Sequence, residues 1–272
     1  MKFMKSIKQA RRERQKSGES IMDESSVKKD DEVWRTPTYN QSKIAEINIK
    51  KARKMRCVGI FPDTPESNAY DVLRSQVLHI TKERGWNTIM ITSTQHGEGK
   101  TLTCINLAIS FAKAFNQTVL LVDNDLKNQN ICNYLGIKSD TGLFDYLIHD
   151  VPLKEMILWP GIERLTIISG GGGIGSSSEL IGSPKMKKLV HEMKFRYKDR
   201  YIFFDTPPIL GPADAMAFTP LVDCVLMVVE AGRTPVKEIR QARELIPDEK
   251  LLGFVLNRQK TALKAYRNYY AK

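Results

Sequence analysis

Long apolar runs are missing from this sequence. No stretch approaches the roughly 18 uninterrupted apolar residues of a membrane-spanning helix, and the basic N-terminus lacks the apolar segment of a secretory signal. Cysteine is scarce, with four residues and no Cys-x-x-Cys pair, and the four histidines lack a spacing typical of metal ligands. These absences predict a cytoplasmic protein and argue against a Cys/His metal site.

Net positive charge is also scarce outside one segment. Residues 1–56 carry sixteen basic and eight acidic side chains, so +8 of the formal net charge of +11 lies there. The nearly balanced remainder argues against a nucleic-acid-binding surface on the folded part. The basic segment is instead suited to an anionic membrane surface, where each basic residue held close contributes about 1 kcal/mol.

Composition divides the chain into three parts. Residues 1–56 are polar and charged, with few periodic apolar residues, and are predicted to form a largely disordered basic tail. Residues 57–260 are expected to form one domain, because about 200 residues suffice to bury a sizeable core. Residues 261–272 form a C-terminal tail with three tyrosines.

Short apolar runs alternate with helical patterns in the middle part. Such alternation predicts parallel strands joined by crossover helices, and runs that are apolar throughout indicate a sheet covered on both faces. The predicted fold is therefore α/β, a three-layer sandwich with a mostly parallel central sheet flanked by helices. The predicted strands are residues 88–91, 119–122, 165–168, 201–204, 224–229 and 252–256. The clearest helical patterns are residues 68–83, 184–198 and 235–245.

A glycine-rich segment, STQHGEGKT, separates the strand 88–91 from the next helix. The strict phosphate-loop pattern has glycine at the place of Thr94, so it fails by one residue. The chemistry is retained, because two glycines let backbone N–H groups curl around an anion and the helix points its positive end at it. A glycine turn without this function is the alternative. The residues expected to bind ATP are Gly97, Glu98, Gly99, Lys100, Thr101 and Leu102.

Two predicted strands end directly in aspartates. Asp123 and Asp125 follow the strand 119–122, and Asp205 follows the strand 201–204. Ligands of open α/β sheets bind at this edge, so acids beside a phosphate loop can hold Mg²⁺, although each alone could be a helix cap or a turn residue. The glycine-rich loop together with these strand-end aspartates predicts a P-loop NTPase-type fold. The expected metal ligands are Thr101, Asp123 and Asp205.

The same residues suggest phosphoryl transfer. Asp123 and Asp125 are candidates to orient or deprotonate an attacking hydroxyl. Lys100 and Lys127 would place positive charge where the transferred phosphoryl group becomes more negative. The candidate catalytic residues are therefore these two aspartates and two lysines.

From about Asn68 onward the sequence resembles the bacterial tyrosine kinases of capsule and exopolysaccharide synthesis. HGEGKT resembles the first phosphate motif of that family, VDNDLKNQ the aspartate motif with Lys127 in place of arginine, and FFDTPP the third motif. The resemblance implies an ATP-dependent tyrosine autokinase with Asn257 near the adenine, although Asn257 could equally be a turn residue. It implies phosphate acceptors at Tyr266, Tyr269 and Tyr270, for which packing at a helix end is the alternative.

The resemblance also implies partners. They are a membrane-embedded polysaccharide co-polymerase that activates the kinase at the inner membrane, and further copies of the chain in a homo-oligomer. The family's E-x-x-R-x-x-R helix pattern reads Asn68, Asp71 and Arg74 here, so only the last residue is kept. Two other functions stay open: a nucleotide-binding scaffold with little or no kinase activity, and a partition- or septum-type ATPase, which would carry a signature lysine at Gln95.

Overall fold

A single eight-stranded sheet forms the centre of the computed structural model, which describes residues 42–259 except 63, 115, 173–176 and 198. Its strands are β1 (Lys43–Ile44), β2 (Thr88–Ser93), β3 (Thr118–Asp123), β4 (Ile157–Trp159), β5 (Leu165–Ile168), β6 (Arg200–Asp205), β7 (Cys224–Glu230) and β8 (Leu251–Asn257). Their order is β1-β4-β5-β3-β6-β2-β7-β8, and every neighbouring pair is parallel except β4 and β5.

Helices cover both faces of this sheet. The α-helices are α1 (Ile49–Lys54), α2 (Pro65–Arg84), α3 (Lys100–Lys113), α4 (Ile131–Leu135), α5 (Leu143–His149), α6 (Leu153–Met156), α7 (Ser177–Ile181), α8 (Pro184–Arg196), α9 (Asp214–Phe218) and α10 (Val236–Glu244). Strand β3 shows the layering, since Val119 and Leu121 lie in one hydrophobic core and Leu120 and Val122 in the other. The predicted three-layer α/β fold is confirmed, because alternate residues of a strand face opposite sides of its sheet.

The ordered fold begins earlier than expected. Residues 42–56 were expected to belong to the disordered tail, but they form β1 and α1, with Ala45, Ile47 and Ala52 buried. The side chain of Asn48 accepts a hydrogen bond from the Lys51 N–H (3.0 Å) and caps α1. The predicted boundary after residue 56 is therefore wrong. The sequence did not predict these elements, because three buried residues among charged ones produce no helical or strand periodicity.

A polar network fastens α2 to α3. Arg74 Nη1 donates to the Ser110 carbonyl oxygen (2.7 Å) and to Asp71 Oδ1 (3.1 Å), and Ser110 Oγ donates to the same Asp71 oxygen (2.6 Å). Arg74, the retained residue of the family's helix pattern, thus has a role within this chain. Across the described residues, no helix is long and apolar enough to cross a membrane.

A partly buried ion pair joins α8 to the amino ends of β2 and β7. Asp223 contacts Lys194 Nζ, and its Oδ2 accepts the backbone N–H groups of Asn87 (3.0 Å) and Thr88 (3.1 Å). Burial alone would raise the pKa of Asp223. The bonds from Lys194 and the two N–H groups outweigh burial and lower this pKa below its ordinary value.

Replacing Asp223 by asparagine should therefore remove a pH-dependent part of the stability. A lowered folded-state pKa stabilises the fold above the ordinary aspartate pKa, and this contribution is lost as the pH falls below about 4. We expect Asp223→Asn to lower the free energy of unfolding by about 1–3 kcal/mol at pH 7 and by less in acid. Urea unfolding across this pH range, with the exposed Glu83→Gln as control, measures the effect. An equal loss at every pH would contradict it.

Candidate active site

The carboxyl ends of β2, β3 and β6 bring the predicted residues to one edge of the sheet. Asp123 and Asp205 are direct partners in the register of β3 and β6. The glycine-rich loop follows the neighbouring strand β2, whose Ile91 pairs with Asp205. The Asn124 N–H donates to the Asp205 carbonyl oxygen (2.8 Å) and extends the β3–β6 contact by one residue. The two acids predicted from separate strands are therefore adjacent.

The loop has the backbone conformation that an anion cradle requires. Gly97 and Gly99 have φ angles of 84° and 97°, which a glycine adopts readily. Thr94, at the place where the strict pattern has glycine, has a negative φ, and its hydroxyl contacts Met227 Sδ at 3.8 Å. The loop can therefore do without that glycine. The side chain of Leu102 packs against a hydrophobic core, which leaves its N–H as the group available to a ligand.

Lys100 lies at the centre of the site. Its Nζ is 2.8 Å from Asp125 Oδ2 and 3.9 Å from Asp205 Oδ1. The Thr101 hydroxyl donates to Asp205 Oδ2 at 2.6 Å. The side chain of Lys100 is only 8% exposed, so these charges interact with little screening by water.

The site holds more negative charge than Lys100 balances. Burial would lower the pKa of Lys100, but the charges of Asp205 and Asp125 outweigh burial and raise it. Burial, reinforced by the charge of Asp205, raises the pKa of Asp123. Burial likewise raises the pKa of Asp205, against the opposing effect of Lys100. Three carboxylates beside one ammonium group favour an added cation.

Two buried carboxylate oxygens lack a hydrogen bond and can coordinate a cation. Asp123 Oδ2 accepts the N–H groups of Asn130 (2.9 Å) and Ile131 (3.0 Å) and so caps α4, whereas no described residue hydrogen-bonds Asp123 Oδ1 or Asp205 Oδ1. Within the described ranges, no three His, Cys, Asp or Glu side chains form a complete metal cage. Mg²⁺ does not need one, since it typically takes one or two carboxylates together with phosphates and waters. The donors present therefore fit Mg²⁺.

Asn124 is a residue that the sequence prediction missed. Its amide is buried between Asp123 and Asp125, and neither polar atom of that amide has a hydrogen-bond partner among the described residues. Its position in the aspartate motif was the available signal. The buried amide adds a neutral polar group at this edge of the sheet.

The remaining predicted site residues have other contacts. Lys127 Nζ lies 3.6 Å from Asp214 Oδ1, at the start of α9. Asn257 Nδ2 donates to the Glu98 carbonyl oxygen at 2.8 Å, so Asn257 contacts the phosphate loop itself. The predicted phosphate acceptors lie outside the described residues. They are Tyr266, Tyr269 and Tyr270.

Comparison with known proteins agrees with this geometry. Residues 86–248 match the AAA domain family. The chain is 29% identical to the tyrosine-protein kinase YwqD of Bacillus subtilis over 77% of this chain and 88% of that protein. It is 31% identical to the tyrosine-protein kinase CpsD of Streptococcus pneumoniae serotype 4, over 65% of this chain and 78% of that one.

The fold is similar to a solved structure as well. The crystal structure of the chimerical protein CapA2B2 superposes with a TM-score of 0.70 at 28% sequence identity, covering 76% of this chain and 90% of that chain. Sequence family, named relatives and fold agree with the phosphate loop and the two strand-end aspartates. The chain therefore belongs to the bacterial tyrosine kinase family, within the P-loop nucleotide-binding proteins.

Proposed function

We propose that this tyrosine kinase transfers the γ-phosphoryl group of ATP to its own C-terminal tyrosines, Tyr266, Tyr269 and Tyr270. Through this reaction it regulates the synthesis or export of capsule or exopolysaccharide. The buried meeting of Lys100 with Asp125 and Asp205 at the start of α3 carries the proposal. The names of the related kinases support the reaction class.

The loop residues bind the phosphates. The N–H groups of residues 97–102 surround the phosphate chain at the positive end of α3. Lys100 exchanges its bond with Asp125 for the β- and γ-phosphates, because these carry more negative charge than one carboxylate. That exchange frees Asp125 Oδ2, while its Oδ1 stays bonded to the Asn128 N–H (3.2 Å).

An aspartate at the end of β3 takes the proton of the attacking tyrosine. Asp125 becomes available when Lys100 turns to the phosphates. Asp123, the other aspartate of this segment, is the second candidate. Lys127 stabilises charge on the transferred group once it leaves Asp214.

The metal proposed here is Mg²⁺. Thr101 Oγ1 and the carboxylates of Asp123 and Asp205 would hold it, and when bound it neutralises charge on the phosphates. The two buried carboxylate oxygens that lack a hydrogen bond, Asp123 Oδ1 and Asp205 Oδ1, support this choice. Asn257, in contact with Glu98, is proposed to lie beside the adenine.

The central test is tyrosine labelling with Mg-ATP. Lys100→Met should slow labelling by about a hundred- to a thousandfold, because a positive charge aimed at the transferred phosphoryl group is removed. Lys113→Met, at the exposed other end of the same helix, is the matched control and should label normally. Mass spectrometry should map the phosphate to Tyr266, Tyr269 and Tyr270. Hydrolysis of ATP by pure protein that never labels tyrosine would sink the proposal.

A second test addresses the cation. Asp205→Asn keeps the shape of the side chain but removes a charged oxygen ligand, so Mg-ADP should bind at least about tenfold more weakly, or ~1.4 kcal/mol. The melting temperature of the free protein should not fall, because the substitution also relieves repulsion from Asp123 across the strands. Calorimetric titration and thermal unfolding measure both, with the exposed Asp150→Asn as control. Unchanged Mg-ADP affinity would rule out Asp205 as a ligand.

The proposed partner is a membrane-embedded polysaccharide co-polymerase that activates the kinase, with the basic residues of the segment 1–56 adding attraction to anionic lipid. We also propose a peripheral location at the inner membrane and self-association.

The location has a direct test. In cells that contain the co-polymerase, the kinase should sediment with the membrane fraction, and removal of the co-polymerase should release most of it. Recovery in the soluble fraction of cells that contain the partner would contradict this.

A partition- or septum-type ATPase is the alternative that the loop disfavours. The place of its signature lysine is taken by Gln95, whose Nε2 donates to Glu238 Oε2 (2.6 Å). A glutamine side chain carries no positive charge, so Gln95 cannot supply the cation that the signature lysine would offer to a second copy. The labelling experiment with Lys100→Met separates the two functions.

A further inference from the structure

The side chain of Glu98 is engaged by protein groups, although Glu98 stands in the middle of the phosphate loop. Its Oε2 accepts the Gln95 N–H at 2.9 Å, and its Oε1 accepts the hydroxyl of Thr234. Glu98 is only 5% exposed. Both carboxylate oxygens are therefore committed to structure, and the contribution of Glu98 to a nucleotide comes through the backbone.

Thr234 is oriented for this bond. Its Oγ1 accepts the Glu230 N–H (2.9 Å), which leaves the single hydroxyl hydrogen for Glu98. Thr234 lies in the turn that connects β7 to α10. The bond therefore joins the phosphate loop to the segment 230–238 rather than to its own strand or helix.

Two further contacts run in parallel with it. Gln95 Nε2 donates to Glu238 Oε2 (2.6 Å) on α10, and Asn257 Nδ2 donates to the Glu98 carbonyl oxygen (2.8 Å) from the end of β8. A small cavity of about 230 Å³ lies between the loop and this segment. Side-chain hydrogen bonds, rather than close packing, thus connect the phosphate loop to the segment 230–238 and to the end of β8.

Helix α10 packs weakly against the rest of the fold, so its hydrogen bonds with the phosphate loop should affect its position. Ala242 is its one fully buried residue, and Val236 at its start is 63% exposed. Weakly packed elements respond more readily to a lost contact. Glu98 in turn lies between Gly97 and Gly99, the two glycines proposed to bind phosphate through their N–H groups, so fixing Glu98 restricts the backbone on both sides.

We propose that Glu98 and Thr234 are positioning residues, which hold the phosphate loop in its nucleotide-binding conformation and couple it to α10. The ligand is the nucleotide of the proposed function. The inference rests on that function only for the identity of the nucleotide, and its test reads binding, so a failure of tyrosine transfer would not be mistaken for a failure of this proposal.

The test compares two substitutions at Thr234. Thr234→Val keeps the shape and removes the hydroxyl, and it should weaken Mg-ADP binding and raise KM for ATP by roughly five- to twentyfold. The value of kcat should change much less, because ground state and transition state lose the same loop contacts. Thr234→Ser restores the hydroxyl and should recover most of the affinity.

Glu98→Gln supplies an independent arm. A glutamine cannot present an acceptor to both Gln95 and Thr234, so affinity should fall, and combining it with Thr234→Val should add little further loss. Thr141→Val, which removes a weaker hydroxyl bond to the Glu155 carbonyl oxygen, is the control and should bind normally. Isothermal titration of Mg-ADP, with thermal unfolding of the free proteins alongside, gives every value.

Three results would overturn the proposal. The first is wild-type affinity in Thr234→Val. The second is a Thr234→Ser variant that binds as weakly as Thr234→Val. The third is strictly additive losses in the double variant with Glu98→Gln. If Thr234→Val does not fold, the serine variant and Glu98→Gln decide between the outcomes.

Discussion

The balance of charge around Lys100 determines what this edge of the sheet can bind. One ammonium group shares a nearly water-free site with Asp123, Asp125 and Asp205. Buried carboxylates are costly unless paired, so the apo protein satisfies them with the lysine, the Thr101 hydroxyl and backbone N–H groups. The same deficit of positive charge favours an added cation at this edge of the sheet. The excess of buried carboxylates over Lys100 is therefore both costly to the fold and the reason why the site favours an added cation.

The parallel sheet alone brings Asp123 and Asp205 together. Strands β2, β3 and β6 lie side by side and end at one edge, so the first polar residue after each apolar run arrives at the same place. Asp123 and Asp205 are register partners although they are far apart in the chain. The hydrophobic cores on both faces fix the strands, and the strands fix the carboxylates.

The sequence carried enough signal for the main strands, the loop and the strand-end acids, since apolar runs and glycines reflect local constraints. It carried too little for β1 and α1, whose few buried residues stand among charged ones. Strand β4 was missed because its apolar run, Ile157–Trp159, is only three residues long. Contacts of Lys127 with Asp214 and of Glu98 with Thr234 were beyond prediction, because they depend on which distant segments the fold brings together.

The order of the strands also separates the first and last strands of the described fold. The described fold starts at β1 and finishes at β8, which are the opposite margins of the sheet. With about 4.8 Å between neighbouring strands, they stand roughly 30 Å apart. Residues 42 and 259, the first and last that the structure describes, therefore lie at opposite sides of the fold. A partner that covers the margin at β1 would therefore leave the margin at β8 accessible.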